Sequence, residues 1–173
     1  MKILLLGYMG SGKSFIGNRL AARNDQKFID FDAEIEKREN STISEIFQKK
    51  GEIYFRKVER KVLEEVLSEG NNAVISLGGG TPCYGDNMEL IKKNNSSISF
   101  YLKLDVQTLT ERLESEKAQR PLISHLQEKE KLEEYIRKHL FERGFYYNQS
   151  DKVINCTAKS SEDIISEILE NLG

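Results

Sequence analysis

The chain has 173 residues, 38% hydrophobic and 31% charged, enough for one domain with a real core and too few for two ordinary ones. Its 26 Lys and Arg against 28 Asp and Glu leave a net charge of −2, which excludes a general attraction to nucleic acid or anionic membranes; any polyanion site must be a local cluster of basic side chains. Cys83 and Cys156 form neither a CxxC pair nor a zinc spacing, so two free thiols in a reducing cytosol are expected.

Ile3–Leu6 is wholly apolar, as expected of a central parallel strand covered on both faces. Gly7 ends the run. It is shorter than the roughly 7–15 apolar residues of a secretion signal or the about 20 of a membrane span, so a cytoplasmic protein without membrane contact is expected. Ser14–Arg23 reads as a helix, and Lys27–Asp30 as a second strand ending in acid. Residues 32–69 read as helical in several pieces. Ser44 is a candidate N-cap before Ile46-Phe47, and Phe55, Val58, Val62, Leu63, Val66 and Leu67 have helical spacing. Ala73–Leu77 is a third strand, stopped by Gly78-Gly79-Gly80. Met88–Lys93 is a helix, Ile98–Leu102 a fourth strand and Val106–Leu113 another helix. A polar stretch from Glu114 to about Lys129 precedes a helix reaching Tyr147, a short strand at Lys152–Asn155 and a last helix from near Ser161. This alternation predicts an α/β fold around a parallel sheet.

Gly7-Tyr8-Met9-Gly10-Ser11-Gly12-Lys13-Ser14 matches GxxxxGK[ST] in full, directly after a strand and opening a helix. Glycines there let backbone N–H groups close around a β-phosphate, and the helix N-terminus adds positive potential. Lys13 reaches the β- and γ-phosphates and Ser14 offers a hydroxyl to Mg2+. The motif fixes nucleotide binding, not the reaction. No Asn-Lys-x-Asp for guanine occurs, which argues against a GTPase.

Asp30 and Asp32 lie at the carboxyl end of the second strand. In an extended segment they share a face and point into the crevice where open α/β sheets bind ligands. One would orient a metal through its water shell, and the other would accept a hydrogen bond or proton from an attacking hydroxyl. Asp32 is also placed to cap the helix that follows. Arg56, beside Phe55, suits either a carboxylate clamp or a surface pair with Glu52 or Glu59. Three successive glycines at 78–80 cost conformational entropy and point to close approach of a ligand. Ser76 stands where an ordinary Walker B acid would be, which moves the metal-orienting task to Asp30. Arg112, Arg120 and Arg143 complete the basic set; Arg120 lies in a stretch long enough to be a lid.

Together these pieces resemble the shikimate kinase family of nucleoside-monophosphate-kinase-like P-loop kinases, nearly end to end. The likeness rests on Gly7–Ser14, Asp30 and Asp32, Gly51-Glu52 with Phe55-Arg56, Ser76 to Gly80, Arg120-Pro121-Leu122, and Arg143-x-x-Tyr146-Tyr147. It implies one domain over residues 1–173, a three-layer α/β/α fold with a central five-stranded parallel sheet, a mobile lid at about 112–128 and a substrate-binding helical region at about 32–60. The implied reaction is ATP-dependent phosphorylation of the 3-hydroxyl of shikimate in a monomer, with Mg2+ as cofactor.

The resemblance also implies roles. Gly10, Ser11, Gly12, Lys13, Ser14 and Phe15 would hold the ATP phosphates. Asp32 would bind the substrate hydroxyls and act as base. Arg56 and Arg143 would hold the carboxylate, Phe55 and Glu59 would shape the pocket, and Gly79, between Gly78 and Gly80, would contact a hydroxyl. Lys13 and Arg120 would stabilise the transferring phosphoryl group. Ser14 would ligate Mg2+, with Asp30 acting through water. Arg112 would pack on adenine, and Lys159 is the candidate for the adenine loop. Two departures stand out: Phe15 replaces a common threonine, and the stretch from Arg112 to Arg120 is one residue longer than the family pattern. The alternatives are a kinase for gluconate or another small hydroxy acid, and a non-catalytic nucleotide-binding regulatory module. The presence of Lys13, Asp30, Asp32, Arg120 and Arg143 argues against the module.

Overall fold

Five parallel strands form the centre of the computed structural model, which describes residues 1–173. They are β1 (Lys2–Leu6), β2 (Lys27–Asp30), β3 (Ala73–Ser76), β4 (Ser97–Lys103) and β5 (Lys152–Asn155), in the spatial order β2-β3-β1-β4-β5. Seven helices accompany them: α1 (Lys13–Arg23), α2 (Phe31–Glu39), α3 (Ile43–Ser68), α4 (Asn87–Lys93), α5 (Val106–Glu116), α6 (Lys129–Tyr147) and α7 (Ser161–Glu170). This is the expected three-layer α/β/α arrangement. Ile3, Leu4, Leu5 and Leu6 are all essentially inaccessible, because a central parallel strand is covered on both faces. Each such side chain contributes about 1.5–3 kcal/mol by leaving water.

Strand and helix limits fall within one to three residues of the sequence reading, with informative exceptions. The N-cap of α3 is Thr42, not Ser44. Thr42 and Glu45 form a reciprocal capping box, with Glu45 N–H donating to Thr42 Oγ1 at 3.1 Å and Thr42 N–H to Glu45 Oε2 at 2.8 Å. That box satisfies two orphan donors and leaves Ser44 inside the first turn. The cap of α2 is Asp30, not Asp32: Asp30 Oδ1 accepts from Ala33 N–H at 3.2 Å. The pair is therefore not two residues of one extended strand, since the chain turns helical at Phe31.

Gly51 interrupts α3 with φ 83° and ψ 171°, a backbone conformation that favours glycine. Phe47 and Phe55 are eight residues apart and would stand ~12 Å apart along a straight helix. The break brings their ring centroids to 4.6 Å. The polar stretch is also more ordered than a loop. Helix α5 continues to Glu116, a 3-10 turn covers Lys117–Gln119, and Ile123 is fully buried. No helix is long and apolar enough to cross a membrane.

Candidate functional site

Strands β1 and β3 are neighbours, with Leu5 opposite Ser76, so the glycine-rich loops leaving their carboxyl ends meet. They line one cleft of about 550 Å3 together with Asp30, Asp32, Arg112 and Arg120. Gly12 caps α1 with φ 88° and no side-chain cap, so the first N–H groups of α1 open toward the cleft. That geometry suits an anion. Lys13 is buried, and its Nζ donates to the carbonyls of Gly7 at 2.8 Å and Tyr8 at 3.0 Å. Burial lowers its ammonium to about 8; Asp32 opposes that shift, and Arg120 and Arg143 reinforce it. Three cations thus act on one another here, which favours a polyanionic ligand.

Beside Lys13 stands a hydroxyl–carboxylate cluster. Ser14 Oγ donates to Asp30 Oδ2 at 2.8 Å and lies 3.2 Å from Ser76 Oγ. The register explains the meeting, because Asp30 pairs with Ser76 across β2 and β3. No group of three His, Cys, Asp or Glu side chains is placed to hold a metal by protein alone. The donor set instead fits Mg2+, a hard cation that retains waters and is bound through few protein oxygens plus substrate phosphates.

Asp32 keeps solvent access through the cleft mouth, although protein encloses it on most sides. Burial raises its carboxyl to about 6, and neighbouring Asp30 and Glu59 raise it further while Lys13 opposes them. None of Gly78, Gly79 and Gly80 has a positive φ, so torsion does not require glycine at these positions; space does. A Cβ at Gly78 would lie 2.7 Å from Asp32 Oδ1. One at Gly79 would lie 3.3 Å from Arg143 Nη1, and one at Gly80 would lie 3.2 Å from both Arg56 and Arg143. The two guanidinium groups therefore flank the glycine run, with Asp32 at its start. Glu59, almost fully buried, accepts from Arg56 Nη1 at 2.9 Å and from Thr81 Oγ1 at 2.8 Å. Phe55 is buried behind Arg56.

Arg112 lies over the phosphate loop, its Nη1 donating to Gly10 O at 3.3 Å; the stretch from it to Arg120 is the end of α5 and the 3-10 turn that follows. Arg120 lines the cleft and makes a two-point contact with Glu116 Oε2, from Nε at 3.0 Å and Nη2 at 2.6 Å. Phe15 is exposed at the cleft edge with Arg19 stacked 4.4 Å from its ring centroid. Lys159 is apart from the cleft lining and pairs with Glu167 at 2.5 Å.

Several contacts around the site carry no signal in the sequence. Tyr147, fully buried, donates to Gly79 O at 2.5 Å and so steadies the glycine run. Tyr8 of the phosphate loop lies 2.9 Å through its hydroxyl from Nδ1 of His139, one helical turn before Arg143. Burial, then Arg143, lowers His139 to about 4, so its ring is neutral near pH 7. The unfolded imidazole titrates near ~6.5, so between these values only the unfolded chain takes the proton. This contribution to stability is complete above about pH 6.5 and is lost as pH falls toward 4. Thermal melts of His139→Gln are expected to show a flatter pH dependence in that window than wild type; parallel curves would count against the coupling.

The chain is similar to known proteins along nearly its whole length. A family model described as shikimate kinase matches residues 9–173. A shikimate kinase of Flavobacterium johnsoniae is 45% identical over 172 residues, covering 99% of each chain. The crystal structure of shikimate kinase from Bacteroides thetaiotaomicron is similar at TM-score 0.90 and 35% identity, covering 99% of this chain and 98% of its own. The Acinetobacter baumannii enzyme in complex with shikimate is similar at TM-score 0.85 and 34% identity, covering 99% of this chain and 92% of its own.

Proposed function

The chain belongs to the shikimate kinase family, and we infer from that premise how its own residues share the transfer of the γ-phosphate of ATP to the 3-hydroxyl of shikimate. The products are ADP and shikimate 3-phosphate, and the step serves aromatic amino-acid biosynthesis. The observation that carries the reading is a meeting at the glycine run. Lys13, Ser14 and Asp32 line one cleft with Gly78 and Gly79, and Arg56 and Arg143 stand against Gly80 at its far end.

In the mechanism, the backbone of Gly10–Phe15 holds the ATP phosphates and Arg112 covers the nucleotide. The shikimate carboxylate pairs with Arg56 and Arg143, and its hydroxyls meet Asp32 and the Gly79 backbone. The substrate oxygen attacks the γ-phosphorus in line as the bond to the ADP oxygen breaks, and the hydroxyl proton passes to Asp32. Lys13 and Arg120 balance the charge that spreads over the phosphoryl oxygens. Ser14 and, through water, Asp30 would hold Mg2+, which when bound neutralises phosphate charge. The whole of residues 1–173 acts as one catalytic domain, cytoplasmic and monomeric, with residues about 112–128 as its lid.

A coupled assay of ADP release tests the reaction. Shikimate-dependent turnover is expected with Mg2+ and ATP, and gluconate serves as the comparison acid. A folded protein that turned over gluconate but not shikimate would overturn the reading. Arg56→Ala is expected to raise KM for shikimate by about 30-fold, the loss of one charge-assisted contact, with KM for ATP unchanged. An unaltered shikimate KM would leave Arg56 with only its ion pairs to exposed Glu52 and buried Glu59.

A further inference from the structure

The carboxylate-binding arginine Arg56 has a partner that the reaction does not otherwise use. The ring of Tyr84 lies against its guanidinium, with Cζ 3.5 Å from the ring centroid; Phe55 and Phe47 are more distant, at 5.1 and 6.0 Å. We infer that Tyr84 is a positioning residue for the acid substrate: its ring fixes the plane of Arg56 so that the Nη edge faces Gly80. This rests on the reading of Arg56 as a carboxylate-binding group.

Two features support it. First, the turn that leads to Tyr84 is tied to the same group that holds Arg56. Glu59 accepts from Arg56 Nη1 and also from Thr81 Oγ1, and Thr81 opens the short turn that leads to Tyr84. Asn87 closes that turn, donating through its side chain to Thr81 O at 2.8 Å and through its backbone to Tyr84 O at 3.2 Å. Arginine and tyrosine are thus two arms of one hydrogen-bonded unit.

Second, Arg56 has somewhere else to go. A hollow of about 540 Å3, lined by Arg56, Tyr84, Glu52 and Asp86 among others, opens beside it. Arg56 Nε is buried without a hydrogen-bond partner, and Glu52 Oε1 lies 3.8 Å from it. A guanidinium free to rotate would draw closer to Glu52 by turning toward that hollow and away from Gly80. The planar stack restrains that rotation, because a guanidinium on an aromatic face loses its attraction when tilted. A short aliphatic side chain fills neither role.

The test is steady-state kinetics on the full chain, measuring kcat and both KM values for wild type, Tyr84→Leu, Tyr84→Phe, Arg56→Ala and the double variant Arg56→Ala with Tyr84→Leu. Tyr84→Leu is expected to raise KM for shikimate about tenfold, with kcat and KM for ATP within about twofold of wild type. Tyr84→Phe keeps the stack and is expected to retain the wild-type KM. On the Arg56→Ala background, Tyr84→Leu is expected to add nothing, since its effect travels through the missing guanidinium. An unchanged KM in Tyr84→Leu, an equal rise on both backgrounds, or a Phe variant as impaired as the Leu variant overturns the positioning role. A parallel rise in KM for ATP with a fall in melting temperature would mark Tyr84 as a general packing residue and overturn it as well. A wild-type shikimate KM for Arg56→Ala instead overturns the carboxylate reading beneath it.

Discussion

Asp32→Asn is expected to lower kcat by about a thousandfold, the middle of the range for a positioned acid–base group, while ATP binding stays within about threefold of wild type. The asymmetry follows from where the carboxylate stands. It sits at the start of the glycine run and is pushed up to about 6 by burial and by Asp30 and Glu59, so it is ionised at neutral pH and still basic enough to take a proton. Asn keeps the size that Gly78 accommodates and removes the basicity. It also removes the group that most favours the Lys13 charge, which accounts for the allowance on ATP affinity. Single-turnover measurements with radiolabelled ATP separate the chemical step from binding. A variant that retained a tenth of wild-type turnover would show that the hydroxyl proton leaves by another route.

Arg120→Ala is expected to cost about 10³ in kcat, the lower end of what an arginine supplies to phosphoryl transfer. Arg120 is held by Glu116 through two hydrogen bonds on the cleft side of the turn after α5. For Arg120 to serve the γ-phosphate, that contact must open. The pair is partly exposed, and such pairs are worth little, so the cost of opening is small. Glu116→Gln is accordingly expected to lower KM for ATP by only about threefold without raising kcat. A loss of activity in Glu116→Gln would mean instead that the carboxylate guides Arg120 to its working position, and Arg120→Ala at wild-type rate would remove it from the reaction.

Much of the site was legible beforehand because its determinants are local. The phosphate loop needs only an apolar strand, glycines in a fixed spacing and a helix start, all within residues 3 to 23. The convergence of Asp30 and Asp32 on one crevice was also anticipated, but the reason differs: Asp30 ends a strand and caps a helix, and Asp32 opens that helix. Local side-chain competition decided this, and the same competition moved the cap of α3 from Ser44 to Thr42. The glycine run was read as a point of close approach. Its immediate neighbours include the protein's own Asp32, Arg56 and Arg143.

By itself the sequence determined the class of fold, the nucleotide loop and the identity of the charged groups, since these depend on periodicity and on torsions set within a few residues. The tertiary structure alone decided which groups meet. Tyr8 reaches His139 across 131 residues and Tyr147 reaches Gly79 across 68. Tyr84 stacks on Arg56 through a turn tied to Glu59. Strand register and helix packing set such meetings, and single side chains carry no sequence pattern that announces them.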